Sequence, residues 1–171
     1  FRRFFKNPMR NTGAYDEQYF ISSKKFQTDK RRAERQAREI MKYLPNRVLD
    51  VGCGRGTLVS LLREHGVEAY GVDNAEILPR KFWKEPCFSL ADAKHLPFGN
   101  KEFDVVFSSD FFEHIHEEDI GAIANEMKRV GETVMAEIAF EAKLTHRQSL
   151  YHVTNKPREW WEKRVPDFEI L

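Results

Sequence analysis

Residues 47–57 read RVLDVGCGRGT: a strand-forming run from Arg47 to Val51 opens directly into glycines at 52, 54 and 56. Val48, Leu49 and Val51 suit an extended, buried backbone. Glycine behind them costs conformational entropy. Three glycines at alternate positions therefore imply a sharp turn whose main chain is closely approached. Asp50 stands two residues ahead of Gly52, so the motif is D-x-G-x-G-x-G. The dinucleotide fingerprint G-x-G-x-x-G spaces its glycines differently, for a pyrophosphate at a helix N-terminus. Here Thr57 holds the place of its last glycine. A carboxylate beside the turn suits a cationic head better than a diphosphate, which disfavours a nicotinamide-dependent reductase.

Outward from this turn, strand-length apolar runs alternate with helical patterns. Residues 47–51, 67–73, 87–92, 103–109 and 132–140 read as strands, and 167–171 as a sixth. Val105, Val106 and Phe107 form a continuous apolar run, as burial on both faces requires. Helices are expected over 57–64, in a short stretch after Asn74, from Glu117 to Arg129 with Ile120, Ile123, Ala124 and Met127 on one side, and near Pro157. In KRRAERQAREIMKYL (30–44), Ala33, Ala37, Ile40, Met41 and Leu44 recur at helical spacing, which sends the charges mostly to solvent. The alternation predicts a doubly wound, mostly parallel α/β sheet with helices on both faces. Ligands of such sheets bind at the carboxyl ends of the strands near the topological switch point, where the glycine turn falls.

A chain of 171 residues suits one domain. We divide it into an aromatic and basic cap segment over 1–30 and a single domain over 31–171. The formal charge of +1 gives no global field for nucleic acid or an anionic membrane. The opening FRRFFKNPMR mixes Arg2, Arg3, Lys6 and Arg10 with phenylalanines, a pattern read as a terminus whose aromatics cover the domain. With only Cys53 and Cys87 present, a disulfide scaffold is disfavoured and a reducing cytoplasm is the expected compartment. No apolar run has membrane-spanning length.

The motif D-x-G-x-G-x-G resembles the first signature of the Rossmann-like S-adenosylmethionine-dependent methyltransferases, and the resemblance extends in register from about Tyr15 to Trp161. It implies that S-adenosylmethionine is the cofactor, that Gly52 and Gly54 border it, and that Asp50 helps to orient it. The second strand of that family ends in an acid for the ribose hydroxyls, and here YGVD supplies Asp73 followed by Asn74. The third ends in a residue for the adenine, and ADAKHLPF supplies Asp92 for the exocyclic amine and Ala93 for a backbone contact. Ser109, closing the fourth strand, completes the expected cofactor contacts. Tyr15 and Tyr19 in YDEQYF match the aromatic segment that related enzymes fold over the cofactor. The family also adds an antiparallel strand after the sixth, which this chain is expected to lack.

Methyl transfer needs alignment, exclusion of water and, for some acceptors, removal of a proton. The loop after the fourth strand, SDFFEHIH (109–116), offers His114 as a base, and His152 lies further on. The run Asp110-x-x-Glu113-His114 is similar to the Glu-x-x-Glu-His of small-RNA 2′-O-methyltransferases and some ubiquinone-pathway enzymes. One-turn spacing would put Asp110 on the same helix face as Glu113 or His114, with His146 and His152 available. The shorter Asp110 departs from that pattern, and no metal ligand is assigned. Tyr151, His152 and Arg158 are candidate acceptor contacts. One of Trp160 and Trp161 is expected in the core, while the other could stack on a flat or saccharide face. The reading is O-methylation of a small-molecule or saccharide-like acceptor. Its rivals are metal-assisted methylation of RNA, a nucleic-acid acceptor being disfavoured, and a catalytically silent cofactor-binding partner subunit.

Overall fold

The structure, a computed structural model, describes residues 17–22, 28–140 and 151–171. Among these residues six strands carry the fold: β1 (Arg47–Val51), β2 (Glu68–Asp73), β3 (Phe88–Leu90), β4 (Phe103–Ser109), β5 (Gly131–Glu137) and β6 (Glu169–Ile170). They form one sheet in the order β3-β2-β1-β4-β5-β6, with every pairing parallel. The chain winds outward from β1 to β3, then returns to lay β4 against β1. The carboxyl ends of β1 and β4 therefore flank the switch point of the sheet, and the crevice there is where ligands of such sheets bind.

Successive strand residues point to opposite faces, and each face has its own core. Val48, Val105, Phe107 and Met135 pack with Ile40, Leu58, Val59 and Leu62, which belong to α2 (Lys30–Met41) and α3 (Thr57–Glu64). Leu49, Val51, Val106 and Val134 pack with Ile120, Ile123, Met127 and Trp161, from α5 (Glu117–Val130) and α6 (Arg158–Arg164). Short α1 (Glu17–Ser22) and α4 (Ile77–Lys81) meet in a third cluster built on Phe20, Leu78 and Trp83. Asp29 starts α2 by accepting hydrogen bonds from the N–H groups of Arg31 and Arg32. Acids at the start of α5 and bases at its end complement its dipole.

The expected strands and helices are all present, with shorter bounds for β2, β3 and β6, while β5 starts one residue earlier and stops at Glu137. Two expectations fail. Leu44 does not join the apolar face of α2: it lies beyond the helix end, at φ +49°, and is 81% exposed. Asp110 does not share a helix face with Glu113 or His114. It precedes a single 3₁₀ turn (Phe112–His114) and has a left-handed φ of +45°, which breaks the helical register. No helix among the described residues is long and apolar enough to cross a membrane. The expected Tyr15 lid, the segment 1–10 and His146 lie outside the described residues.

Candidate functional site

The carboxyl ends of the central strands border a cavity of about 570 Å³. Its lining includes Tyr19, Asp50, Gly52, Gly54, Asp73, Asn74, Asp92, Ala93, Ser109 and His114. The structure thus brings together the sequence-predicted cofactor residues and one of the two expected bases; His152 stands behind that wall.

The glycine turn forms the floor. Gly52, Gly54 and Gly56 have φ of +77°, +52° and +80°, which side-chain-bearing residues adopt only under strain. A Cβ on Gly52 would lie 2.5 Å from the Phe111 ring, and one on Gly56 would lie 2.3 Å from the Phe88 ring. Close approach is therefore real, and at these two positions aromatic rings make it. The N–H groups of Gly52 and Cys53 donate to the Val72 carbonyl at 2.8 and 3.0 Å, and Gly56 N–H donates to Cys53 O at 2.9 Å. Gly54 N–H donates to Asp73 Oδ2 at 3.0 Å. With these donors committed inside the protein, the turn is no phosphate cradle. Trp83 was not singled out from the sequence, yet its indole N–H donates to Gly54 O at 2.9 Å. Its ring stacks on Phe88 at 5.4 Å and 16°, so it pins the turn from the far side.

Three carboxylates flank the turn. Asp73 also accepts from Ala75 N–H at 3.0 Å through Oδ1, and Asp92 accepts from Lys94 N–H at 2.9 Å. Both cap local backbone as aspartates do, and both keep lone pairs for a ligand, because a carboxylate has about four acceptor positions. Asp50 is 5% exposed. Burial, and then the charge of Asp73, push its pKa up to about 7, while Arg32 pulls it down.

A polar wall closes the side nearest α2. Arg32 donates to Ser109 Oγ at 2.6 Å and forms an ion pair with Asp110. Gln36, 5% exposed, donates to Ser109 Oγ at 2.9 Å and to Glu137 at 2.8 Å. The sequence reading sent the polar residues of this helix to solvent and missed both. Their signal was the spacing of Arg32 and Gln36, one turn apart beside Ala33 and Ile40. From α1, Tyr19 packs its ring 5.2 Å from that of Tyr151. Burial, then Asp110 and Asp73, push its hydroxyl up to about 12.

At the other end, residues 151–155 close onto the 3₁₀ turn. Thr154 N–H donates to Glu113 O at 3.1 Å, and its hydroxyl donates to Ile115 O at 2.6 Å. His114 Nδ1 is 3.0 Å from Tyr151 O; a carbonyl only accepts, so Nδ1 carries the proton and Nε2 is the acceptor. Burial and the adjacent His152 hold His114 down at about 4, while burial raises the fully covered Glu113 to about 8. The His114 and His152 rings meet edge-on at 4.8 Å. Arg158, expected at the acceptor, instead bonds Glu162 and the Ile170 carbonyl, away from the cavity. Trp161 is fully buried in the core, as expected for one of the pair, and Trp160 packs edge-on against it at 4.9 Å, outside the cavity lining.

The donor set fits S-adenosylmethionine. Buried Asp50 and half-buried Asp73 face a cavity of drug-ligand size, with Arg32 the cation set against Asp50, so a positively charged ligand completes the balance of charge. Asp73 and Asp92, at the ends of neighbouring strands, offer acceptors to a sugar and a base. Tyr19 lines the same cavity.

The family model for the methyltransferase domain matches residues 49–133. A probable tRNA (uracil-O(2)-)-methyltransferase of Caenorhabditis briggsae is 48% identical over 40 residues, which cover 23% of this chain and 7% of that protein. Norajmaline N-methyltransferase of Rauvolfia serpentina is 29% identical over 89 residues, covering 44% of this chain and 29% of that protein. A structure of an S-adenosylmethionine-dependent methyltransferase from Archaeoglobus fulgidus superposes with a TM-score of 0.65 at 23% identity, over 86% of this chain and 72% of that one. The chain spans less than a third of the length of either curated relative.

Proposed function

The chain belongs to the Rossmann-like S-adenosylmethionine-dependent methyltransferases, and from that premise we propose that residues 31–171 form one domain that methylates an oxygen of a small-molecule or saccharide-like acceptor. The observation that carries this reading is the placement of Asp50, Asp73 and Asp92 at successive strand ends around one cavity floored by the glycine turn.

When bound, the cofactor supplies a methyl group on a sulfonium, which needs a correctly aligned acceptor and no water. In this reading Asp73 accepts from the ribose hydroxyls, Asp92 and Ala93 meet the adenine, and Asn74 packs beside the sugar. Gly52 and Gly54 give the amino-acid part access to the main chain. Asp50 sets a negative charge beside the cationic groups. Ser109, fixed by Arg32 and Gln36, holds the wall beyond the methionyl end. Tyr19 covers the crevice and excludes water.

The acceptor enters beside His114, Ile115 and His116, which line the same cavity. Of the two expected bases, His114 is the one that reaches the space, presenting an acceptor nitrogen to a hydroxyl. A cavity of this size, once the cofactor is seated, leaves room for a small acceptor or one sugar unit. The free thiols of Cys53 and Cys87 suit a reducing cytoplasm.

The test is transfer of labelled methyl from S-adenosylmethionine to panels of hydroxylated small molecules, monosaccharides, amines and RNA. Label in a hydroxyl or sugar acceptor is expected. Label confined to amines or RNA would overturn the acceptor class and leave the cofactor assignment standing.

A further inference from the structure

Glu113, His114 and His152 converge beside the cavity, and one ligand atom from each lies within 4.8 Å of the others. Two of these groups are placed at a cost that the protein alone does not explain. Glu113 is fully buried, and although its Oε1 accepts from Ala139 N–H at 3.3 Å, its Oε2 is buried with no hydrogen-bond partner among the described residues. Nδ1 of His152 is likewise buried without a partner among them. Unpaired buried acceptors are rare in folded proteins because water has been lost and nothing replaces it. A carboxylate oxygen and an imidazole nitrogen, both without a partner among the described residues and both beside a second imidazole, are together complemented by a cation.

The surrounding contacts orient the donors. The Tyr151 carbonyl fixes the proton of His114 on Nδ1, the arrangement that metal-ligating histidines adopt so that Nε2 faces the ion. Thr154 bonds the main chain at both Glu113 and Ile115, which locks the segment bearing His152 onto the turn bearing the other two. Asp110, an acid outside the group, is held by Arg32.

We propose that Glu113, His114 and His152 bind a divalent transition-metal ion in the wall of the cavity. Two imidazoles with one carboxylate select zinc, cobalt, nickel or ferrous iron over magnesium, whose preferred ligands are oxygens. Bonds of about 2.0–2.2 Å in a tetrahedral site put donors about 3.4 Å apart, so the widest gap closes by about 1.4 Å through side-chain rotation. Three protein ligands leave a position open, as in catalytic rather than structural sites. With the ion in place His114 and His152 are ligands, so the base role proposed above for His114 belongs to the metal-free protein alone. This goes beyond the methyl-transfer reading and is tested separately from it.

The experiment titrates chelator-treated full chain with Co²⁺ and Zn²⁺ by calorimetry, with Mg²⁺ in parallel, and records the visible absorption of the Co²⁺ form. One equivalent of Co²⁺ and of Zn²⁺, a cobalt ligand-field band, and Mg²⁺ binding weaker by about 100-fold or more are expected. Glu113→Gln and His152→Ala should each weaken Co²⁺ by at least about 10-fold and change the band. His152 is half-buried, so its variant reports even where Glu113→Gln fails to fold, and the thermal melt of each checks this. His95→Ala, outside the group, should bind as wild type does. No stoichiometric binding, or variants that bind like wild type, would overturn the proposal. Binding of S-adenosylhomocysteine is titrated on the same samples. Cofactor binding without metal sinks the ion alone, and metal without cofactor sinks the methyltransferase reading alone.

Discussion

The N–H of Gly54 donates to Asp73 Oδ2 at 3.0 Å, so the turn leaving β1 is held by the carboxylate that ends β2. The same side chain reaches forward to Ala75 N–H. One residue thereby sets the turn, the start of the next segment and one side of the cavity. The cofactor floor is built by strand pairing and then locked by a side chain that also faces the ligand.

Asp73→Ala removes both of these bonds. At about 1 kcal/mol each, the loss should lower the melting temperature by about 4–8 °C in a chain of this length. Asp73→Asn keeps an amide oxygen that can accept one of them and should lose about half as much. Thermal melts of the two variants without ligand check this.

Gly52→Ala forces alanine to φ +77° and places its Cβ against the Phe111 ring. The left-handed backbone alone costs about 1–2 kcal/mol, and the contact adds to it. In a double-mutant cycle with Phe111→Ala the costs should be less than additive by at least about 0.5 kcal/mol. Strict additivity in urea titrations would show that the ring is not the obstacle.

Asp50 gives a pH dependence of known sign. Its folded pKa, about 7, lies above its ordinary value of 3.8. The fold therefore favours the neutral acid, and that stability is complete below pH 4 and lost as pH rises through 7. Asp50→Asn, permanently neutral, should gain on wild type across this window by up to about 4 kcal/mol and level off above it. Urea midpoints at pH 5 and 8 check it. A difference that shrinks with rising pH would contradict the sign.

Arg32 and Arg35 pair with acids on the same polar wall, with different consequences. The side chains of Arg32 and Asp110 are 18% and 29% exposed, whereas that of Arg35, paired with Glu137, is 47% exposed. Arg32→Ala leaves a largely covered carboxylate unpaired and should cost about 1–3 kcal/mol. Arg35→Ala should cost less than about 1 kcal/mol. Adding Asp110→Asn to Arg32→Ala should restore part of the loss. Denaturant titrations of the three variants decide it.

Much of the scaffold was legible because it is local. Valine and leucine runs, the glycine spacing and an acid at each strand end are written within a few residues of where they act, and Asp50, Gly52, Gly54, Asp73 and Asp92 all line the cavity. What was lost depends on distant packing. Arg32 and Gln36 sit on a helix whose charges read as solvated, and only the pairing of that helix with β4 and β5 turns them inward. Trp83 reaches the glycine turn across about thirty residues of chain. Asp110 was read on a helix because residue spacing alone does not reveal a left-handed φ. Arg158 looked like an acceptor contact until the close of α6 on β6 gave it other partners.

The most direct test of the central claim is calorimetric titration of S-adenosylhomocysteine into wild type and into Asp73→Asn. One site is expected in wild type and an affinity lower by at least about 10-fold in the variant, the loss of one charge-assisted hydrogen bond being worth about 1.5–3 kcal/mol. An absence of binding to wild type, or equal affinity in the two proteins, would contradict it.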